Sequence, residues 1–146
     1  MESDLIKLYS TRILALAADI PHLGRLDAPE GTACVRSPQC GSSVTVDIAL
    51  TDGRISAYAQ DVKACALGQA SAAVVGQNII GRTRAEVEET RAALAGMLEG
   101  GPTPAAPFDE LEVLRAAQDF TNRHASILLA LDATLAALDD AAAKAA

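Results

Sequence analysis

The sequence predicts an α+β domain in which three antiparallel strands form a sheet and helices pack on one face of that sheet. Three observations predict this class. The patterns run in the order helix, strands, helices; residues 44–50 alternate apolar and polar side chains before an Asp-Gly turn; and residues from 66 onward have helical spacing. The 146 residues suit a single domain over 1–146, with a tail from about residue 140 that we expect to fray.

The first helix is predicted over residues 4–20, because apolar side chains recur there at helical spacing and Pro21 ends the pattern. The strands follow. Asp52-Gly53 forms a two-residue hairpin turn, since glycine tolerates the positive φ that such turns require. A regular hairpin then predicts the cross-strand pairs Thr51–Arg54, Leu50–Ile55, Ile48–Ala57 and Val46–Ala59. Residues 32–36 supply the third strand.

Helices are predicted for most of the remaining chain. A small-residue helix covers 66–80 and is closed by Gly81, and a second helix runs from a capping box at Thr83 and Glu86 to about Leu98. A short helix around Leu111 and a long one beginning near residues 119–122 complete the set. The sequence thus places one helix before the sheet and the others after it.

Composition excludes several classes of partner and location. The net charge is -7 and no cluster of Lys and Arg occurs, so we expect neither nucleic acid nor an anionic membrane as a partner. The acidic first residues are unlike a secretory signal, and no apolar run reaches the roughly 20 residues of a membrane span. Three cysteines do not make a disulfide framework. We expect a cytoplasmic protein that is a monomer or weak homo-oligomer.

Three side chains at element boundaries are candidate metal ligands. Cys40 lies in a turn flanked by proline and glycine, Cys65 lies where the hairpin ends and a helix begins, and His124 lies at the start of the last helix. A thiol at a helix N-terminus faces unpaired amide groups that favour the thiolate, and Lys63 adds positive charge. Two thiols and an imidazole suit zinc or an iron–sulfur cluster.

Other interpretations of these residues remain open. Isolated cysteines often pack as small apolar side chains, and Cys34, in mid-strand, is expected to lie in the core. His22 is expected to be solvated in its turn. Cys65 could instead be an enzyme nucleophile with His124 as its base, although the sequence offers no third group to orient them. No CxxC or HxxxH spacing selects among these alternatives.

Three motifs resemble those of the IscU/NifU/SufU iron–sulfur cluster assembly scaffolds. Residues 31–41 (GTACVRSPQCG) resemble the first cysteine motif, and the hairpin turn at 52–55 (DGRI) follows at the family's spacing. Residues 61–72 (DVKACALGQASA) look like the second cysteine motif with its small-residue helix, and residues 123–128 (RHASIL) are similar to the third. The loop at 100–107 looks closer to the SufU-like subgroup.

The resemblance implies a scaffold or carrier and not an enzyme. It implies that Cys40, Cys65 and His124 bind iron or an iron–sulfur cluster, or accept sulfur, and that zinc can occupy the same site. A cysteine desulfurase and recipient iron–sulfur proteins are the implied partners. Ser42, Asp61 and Lys63 are auxiliary candidates near the site, with Ser42 or Asp61 as a possible fourth, oxygen ligand.

The chain also departs from the family pattern at three places. Ala125 stands where the family usually has its third cysteine, and Ser42 stands where it commonly has aspartate. Residues 118–122 (QDFTN) replace the chaperone-recognition motif of IscU proteins. We therefore expect a weaker or more labile metal site, and a zinc-binding relative that no longer assembles clusters is the alternative function.

Overall fold

A computed structural model of the chain describes residues 9–38 and 41–146. Its elements are helices α1 (Thr11–Ala17), α2 (Ala66–Asn78), α3 (Arg84–Leu98) and α4 (His124–Ala145), strands β1 (Gly31–Ser37), β2 (Ser42–Thr51) and β3 (Arg54–Lys63), and 3₁₀ segments Asp109–Ala117 and Thr121–Arg123. The three strands form one antiparallel sheet in the order β1-β2-β3. The predicted α+β class and the third strand are confirmed.

Helix α4 lies across the inner face of the sheet and connects it to the other helices. It contacts β1 and β2 on one side and α2 and α3 on the other, and α1 packs on α2. Small side chains allow this close packing, because nine residues of α2, mostly Ala, Gly and Val, are fully buried. No helix among residues 9–38 and 41–146 is long and apolar enough to span a membrane.

The predicted hairpin register is correct at the turn and wrong beyond it. Thr51 pairs with Arg54 and Leu50 with Ile55, but a β-bulge follows, so Ile48 pairs with Tyr58 and Val46 with Gln60. The extra residue in β3 is Ser56, which is exposed. The shift places Tyr58 on the inner face. Its hydroxyl donates to Thr134 Oγ1 at 2.9 Å, and Thr134 donates to the carbonyl of Ala130.

The first helix is shorter than predicted over the part that is described. Residues 4–8 lie outside the described residues, and Tyr9 lies in a turn. Ser10 then adopts an extended conformation and its hydroxyl accepts a hydrogen bond from the Ile13 amide, so it caps a new helix that ends at Ala17. Serine is one of the residues preferred at the N-cap of a helix. The extended backbone of Ser10 therefore interrupts the continuous helix that is predicted over residues 4–20.

The later helices follow the prediction more closely. The capping box at Thr83 and Glu86 is present, and α3 ends at Leu98 as expected. Helix α2 ends at Asn78 and its cap is Ile79, not Gly81, although Gly81 has the positive φ of +89° that favours glycine. Helix α4 continues to Ala145, and fraying of the tail stays a prediction.

Asp47 anchors the segment before β1 to the outer face of the sheet. Its side chain is inaccessible to solvent and accepts hydrogen bonds from Arg25 Nε (2.7 Å) and Nη2 (3.0 Å), from Thr32 Oγ1 (2.6 Å) and from the Leu26 amide (3.0 Å). Burial alone would raise the pKa of Asp47, but these hydrogen bonds and the Arg25 charge outweigh it and hold the pKa below its usual value.

Candidate metal and sulfur site

Ser42, Cys65 and Ser126 meet at one end of the sheet, where three elements begin. Ser42 is the first residue of β2, Cys65 is the N-cap of α2, and Ser126 lies in the first turn of α4. The Ser126 hydroxyl is 3.1 Å from Ser42 Oγ and 3.5 Å from Cys65 Sγ. Both serines are buried, whereas Cys65 is partly exposed. Ser126 therefore joins the other two side chains.

Close packing of α2 on α4 creates this contact. A Cβ atom at Gly68 would lie 2.6 Å from Ser126 Oγ and 2.8 Å from Ala64 Cβ, so only glycine allows Ser126 to approach here. One turn further on, Ser71 donates a hydrogen bond of 2.6 Å to the carbonyl of Ile127. The N-terminal ends of the two helices are thus joined by a glycine contact and a buried hydrogen bond.

Cys65 occupies the N-cap position without capping the helix. Its backbone is extended, with φ -68° and ψ 170°, and its side chain accepts no hydrogen bond from the first turn. The carbonyl of Cys65 accepts from the Gln69 amide at 2.9 Å, which begins the helical hydrogen bonding. Because sulfur is a poor cap, the thiol remains available for other partners.

His124 is held by backbone carbonyls of the preceding segment. Its Nε2 lies 2.9 Å from the oxygen of Ala117 and 3.1 Å from that of Gln118. Two carbonyl acceptors at one ring nitrogen assign the proton to Nε2, by the hydrogen bonding and not by observation of the hydrogen. Nδ1 is then the nitrogen with a free lone pair. Metal-binding histidines commonly use this arrangement, with one nitrogen donating to a carbonyl and the other binding the ion.

Cys40, the remaining candidate ligand, lies outside the described residues. It precedes Ser42 by two positions, in the connection between β1 and β2. The residues flanking this connection, Ser37 and Ser42, pair across the two strands. A cavity of about 130 Å³ lies beside it and is lined by Arg36, Ser37, Pro38, Gly41 and Ser42.

The structure places the other sequence candidates on the outer face of the sheet. Asp61 pairs with Thr45 and its charge acts on Arg25. Lys63 pairs with Ser43 and is exposed. Cys34 is exposed on β1, so the expectation that it packs in the core is wrong: Ala33 and Val35 face inward, and alternation turns Cys34 outward. Among residues 9–38 and 41–146, no group of three His, Cys, Asp or Glu could hold a metal.

Ser126 is the site residue that analysis of the sequence alone did not select. It lies in the third motif, two residues after His124, and nothing in that motif indicates that its side chain turns inward. The sequence feature that indicates this contact is the small size of residues 68 and 71 in α2. Glycine and serine one turn apart on a helix are typical of close packing against a second helix.

Comparisons with known proteins agree with this architecture. The family model of the NifU-like N terminal domain matches residues 8–127. The crystal structure of a nitrogen-fixing NifU-like protein (N-terminal) from Brucella abortus is 39% identical, with a TM-score of 0.93 over 97% of this chain and 99% of that chain. No curated protein matches the chain.

Two more distant structures share the fold. One is a putative iron–sulfur cluster assembly scaffold protein for the SUF system from Fervidobacterium islandicum AW-1, which is 21% identical with a TM-score of 0.80 over 91% of this chain and 98% of that chain. The other is a hypothetical protein that is 23% identical with a TM-score of 0.81 over 92% of this chain and 98% of that chain. At these identities the likeness concerns the fold alone.

Proposed function

This chain belongs to the family of NifU-like N-terminal domains, and we propose that it acts as a scaffold or carrier in iron–sulfur cluster assembly. In this proposal Cys40 and Cys65 bind iron or accept sulfur and His124 is the third protein ligand. The protein is a binding module and not an enzyme. The observation that carries the proposal is the meeting of Ser42, Cys65 and Ser126, since it joins the three segments that hold these ligands.

The donor set suits iron–sulfur cargo. Thiolate is the soft ligand that iron–sulfur clusters and zinc both prefer, and imidazole is also a ligand of both. His124 is already oriented by two carbonyls, with Nδ1 left for an ion. Zinc fits the same atoms, so a zinc-binding relative that does not assemble clusters is the alternative, and metal analysis distinguishes the two.

Accepting a sulfur atom needs one reachable thiol, whereas binding a cluster needs several protein ligands. Cys65 as a thiolate would attack the outer sulfur of a persulfide carried by a partner protein. A new S–S bond forms at Cys65, the partner's S–S bond breaks, and the electron pair leaves on the partner's cysteine. The partly exposed Cys65 can be reached by such a partner, which we propose to be a cysteine desulfurase.

An enzyme that uses Cys65 as nucleophile and His124 as base is not favoured. The Cys65 thiol has a hydrogen-bonding contact with Ser126, and Nε2 of His124 has one with a backbone carbonyl. Neither contact joins Cys65 to His124. A nucleophile and its base need direct hydrogen-bonding contact.

Anaerobic reconstitution with iron and sulfide tests the proposal. We expect wild type to gain sulfur-to-iron charge-transfer absorption, and Cys40→Ser and Cys65→Ser to lose most of it. Cys34→Ser is the matched control, because Cys34 is exposed on the outer sheet face and should have no effect. Wild type without this absorption but with stoichiometric zinc would support the alternative function, and wild type with neither would contradict both.

A further inference from the structure

The buried hydroxyls of Ser42 and Ser126 form a hydrogen-bonded chain that ends at the sulfur of Cys65. Ser126 Oγ lies 3.1 Å from Ser42 Oγ and 3.5 Å from Cys65 Sγ. The two serines are only 4% and 1% exposed, so their hydroxyls depend on partners within the protein. Among the residues that the structure describes, Ser42 Oγ has one hydrogen-bonding contact and Ser126 Oγ has two.

The burial of the two serines gives this chain a direction. A buried hydroxyl that finds no acceptor incurs the cost of its lost hydration. Both serine protons find an acceptor if Ser42 donates to Ser126 and Ser126 donates to the Cys65 sulfur. In the opposite direction, with the thiol as first donor, the Ser42 proton has no acceptor among the described residues. The hydrogen bonding therefore assigns Ser126 as a donor to Sγ, and no other direction is possible when this sulfur carries no proton.

Helix packing holds the Ser126 hydroxyl beside the sulfur. A Cβ atom at Gly68 would lie 2.6 Å from Ser126 Oγ, so the backbone of α2 flanks this hydroxyl closely. The first turn of α2 gives the Cys65 side chain no capping hydrogen bond. Ser126 is therefore the donor that the described part of the chain offers to this sulfur. Its position is set by packing before any reaction begins, which is the condition under which a donor stabilises developing charge best.

A donor at Sγ acts differently on the two reactions of a persulfide, Cys65–Sγ–SH, with an acceptor thiolate. If the thiolate attacks the outer sulfur, a bond forms between the two, the S–S bond breaks, and the electron pair leaves on Sγ. If it attacks Sγ, the acceptor becomes disulfide-bonded to Cys65 and the electron pair leaves on hydrosulfide. Negative charge develops on the leaving sulfur, which is Sγ in the first reaction only. A donor at Sγ therefore favours transfer of the outer sulfur.

We propose that Ser126, oriented by Ser42, donates a hydrogen bond to Cys65 Sγ as this sulfur leaves the persulfide. The contact directs the persulfide towards transfer of its outer sulfur to a thiolate and away from loss of that sulfur as hydrosulfide. This rests on the proposed function, since it requires that Cys65 accepts sulfur. The acceptor thiolate approaches from solvent, because Cys65 is partly exposed and both serines are buried.

The test measures how a persulfide on Cys65 divides between these two reactions. The full chain, with its other cysteines replaced by serine, is loaded with inorganic polysulfide, freed of excess, and treated with 2-mercaptoethanol. At low conversion, mass spectrometry gives the ratio of protein with free Cys65, from transfer, to protein disulfide-bonded to 2-mercaptoethanol. The test variant is Ser126→Ala. The matched control is Ser71→Ala, because the buried Ser71 hydroxyl also joins α2 to α4 but donates to the carbonyl of Ile127.

We expect the ratio to fall about five-fold in Ser126→Ala, as for the loss of one hydrogen bond, and to stay at the unsubstituted value in Ser71→Ala. Ser42→Ala, a second variant, should lower the ratio by a smaller factor, since Ser126 keeps its proton but loses the donor that orients it. Circular dichroism checks that each variant folds.

An unchanged ratio in Ser126→Ala, or an equal fall in Ser71→Ala, would overturn the inference. The ratio is an internal control for access, because both reactions need the thiolate to reach the same residue. The proposed function fails in a different way. If polysulfide adds no sulfur to Cys65 in any of the proteins, sulfur acceptance by Cys65 is wrong and this inference falls with it, whereas loading with equal ratios overturns the inference alone.

Discussion

Replacing Gly68 by alanine tests whether the helix contact positions Cys65. The added Cβ would lie 2.6 Å from Ser126 Oγ and 2.8 Å from Ala64 Cβ, both shorter than real contacts allow, and a tight 3.0 Å from the Ser126 carbonyl oxygen. Rotation of the Ser126 side chain would relieve only the first of these contacts, so α2 must also shift near Gly68. Gly96→Ala in α3 is the matched control, because it is also a glycine-to-alanine change within a helix and its Cβ would meet nothing within 4 Å.

The expected magnitude follows from two opposing effects. Alanine favours a helix over glycine by about 1 kcal/mol, and both variants gain this. Only Gly68→Ala also incurs the cost of overpacking a filled interior, about 1–3 kcal/mol. We expect Gly96→Ala to be more stable than wild type and Gly68→Ala to be about 2 kcal/mol less stable than Gly96→Ala. For a chain of this length, that difference corresponds to about 6 °C in Tm.

Two assays check the effect. Thermal unfolding compares the stabilities, and alkylation measures access to Cys65 in proteins whose other cysteines are replaced by serine. We expect faster alkylation in Gly68→Ala, since moving α2 separates Cys65 from Ser126. If Gly68→Ala were as stable as Gly96→Ala and its thiol reacted at the wild-type rate, the packing argument for the site would be refuted.

Three further predictions concern the outer face, the inner face and the site. Asp47→Asn should lower stability by about 2 kcal/mol at pH 7, because it removes the charge from a buried carboxylate that accepts hydrogen bonds from Arg25, Thr32 and the Leu26 amide. Because the pKa of Asp47 is lowered in the folded protein, the ionised carboxylate stabilises the fold at pH values above the unfolded pKa of about 3.9. The stability difference between wild type and Asp47→Asn, measured by urea unfolding, should therefore shrink as pH falls below about 4. An unchanged difference at pH 3 would contradict this prediction. Tyr58→Phe should cost about 1 kcal/mol in the same assay by removing the donor to Thr134, and no loss would mean that this hydrogen bond contributes nothing. Ala125→Cys should retain iron or zinc longer against a chelator, since position 125 is exposed beside His124; retention equal to wild type would place the ion elsewhere.

Patterns local in the sequence predicted most of the fold, and distant contacts explain where the prediction was wrong. Alternation and the Asp-Gly turn located β2, β3 and the pairs nearest the turn. The bulge after Leu50 could not be derived from them, because counting outward from a turn assumes a regular ladder. The hydroxyl of Tyr58 finds its partner at Thr134, 76 residues later, and only the packed α4 makes that contact visible.

The places of Cys65 and His124 at helix starts were predictable from the sequence, and the contacts of their side chains were not. Element boundaries and motif resemblance placed Cys65 and His124 correctly at helix starts. The side chain that contacts the Cys65 thiol, Ser126, depends on the rotation of α4 against α2, which the Gly68 contact sets. Cys34 shows the converse, because its apolar neighbours favoured a buried position, whereas strand alternation turns its side chain outward.

The alanine at position 125, where the family resemblance implies a cysteine, affects the two proposed activities differently. Holding a cluster needs several protein ligands, and this chain offers two thiols and one imidazole, with hydroxyls of Ser42 and Ser126 as neutral neighbours. Accepting sulfur needs one reachable thiol, and Cys65 meets that requirement without position 125. We therefore expect sulfur transfer to Cys65 to persist under conditions in which a cluster is lost. Following both on one sample, by mass spectrometry for sulfur and absorption for the cluster, separates the two activities, and their loss in parallel would show that Cys65 acts only as a cluster ligand.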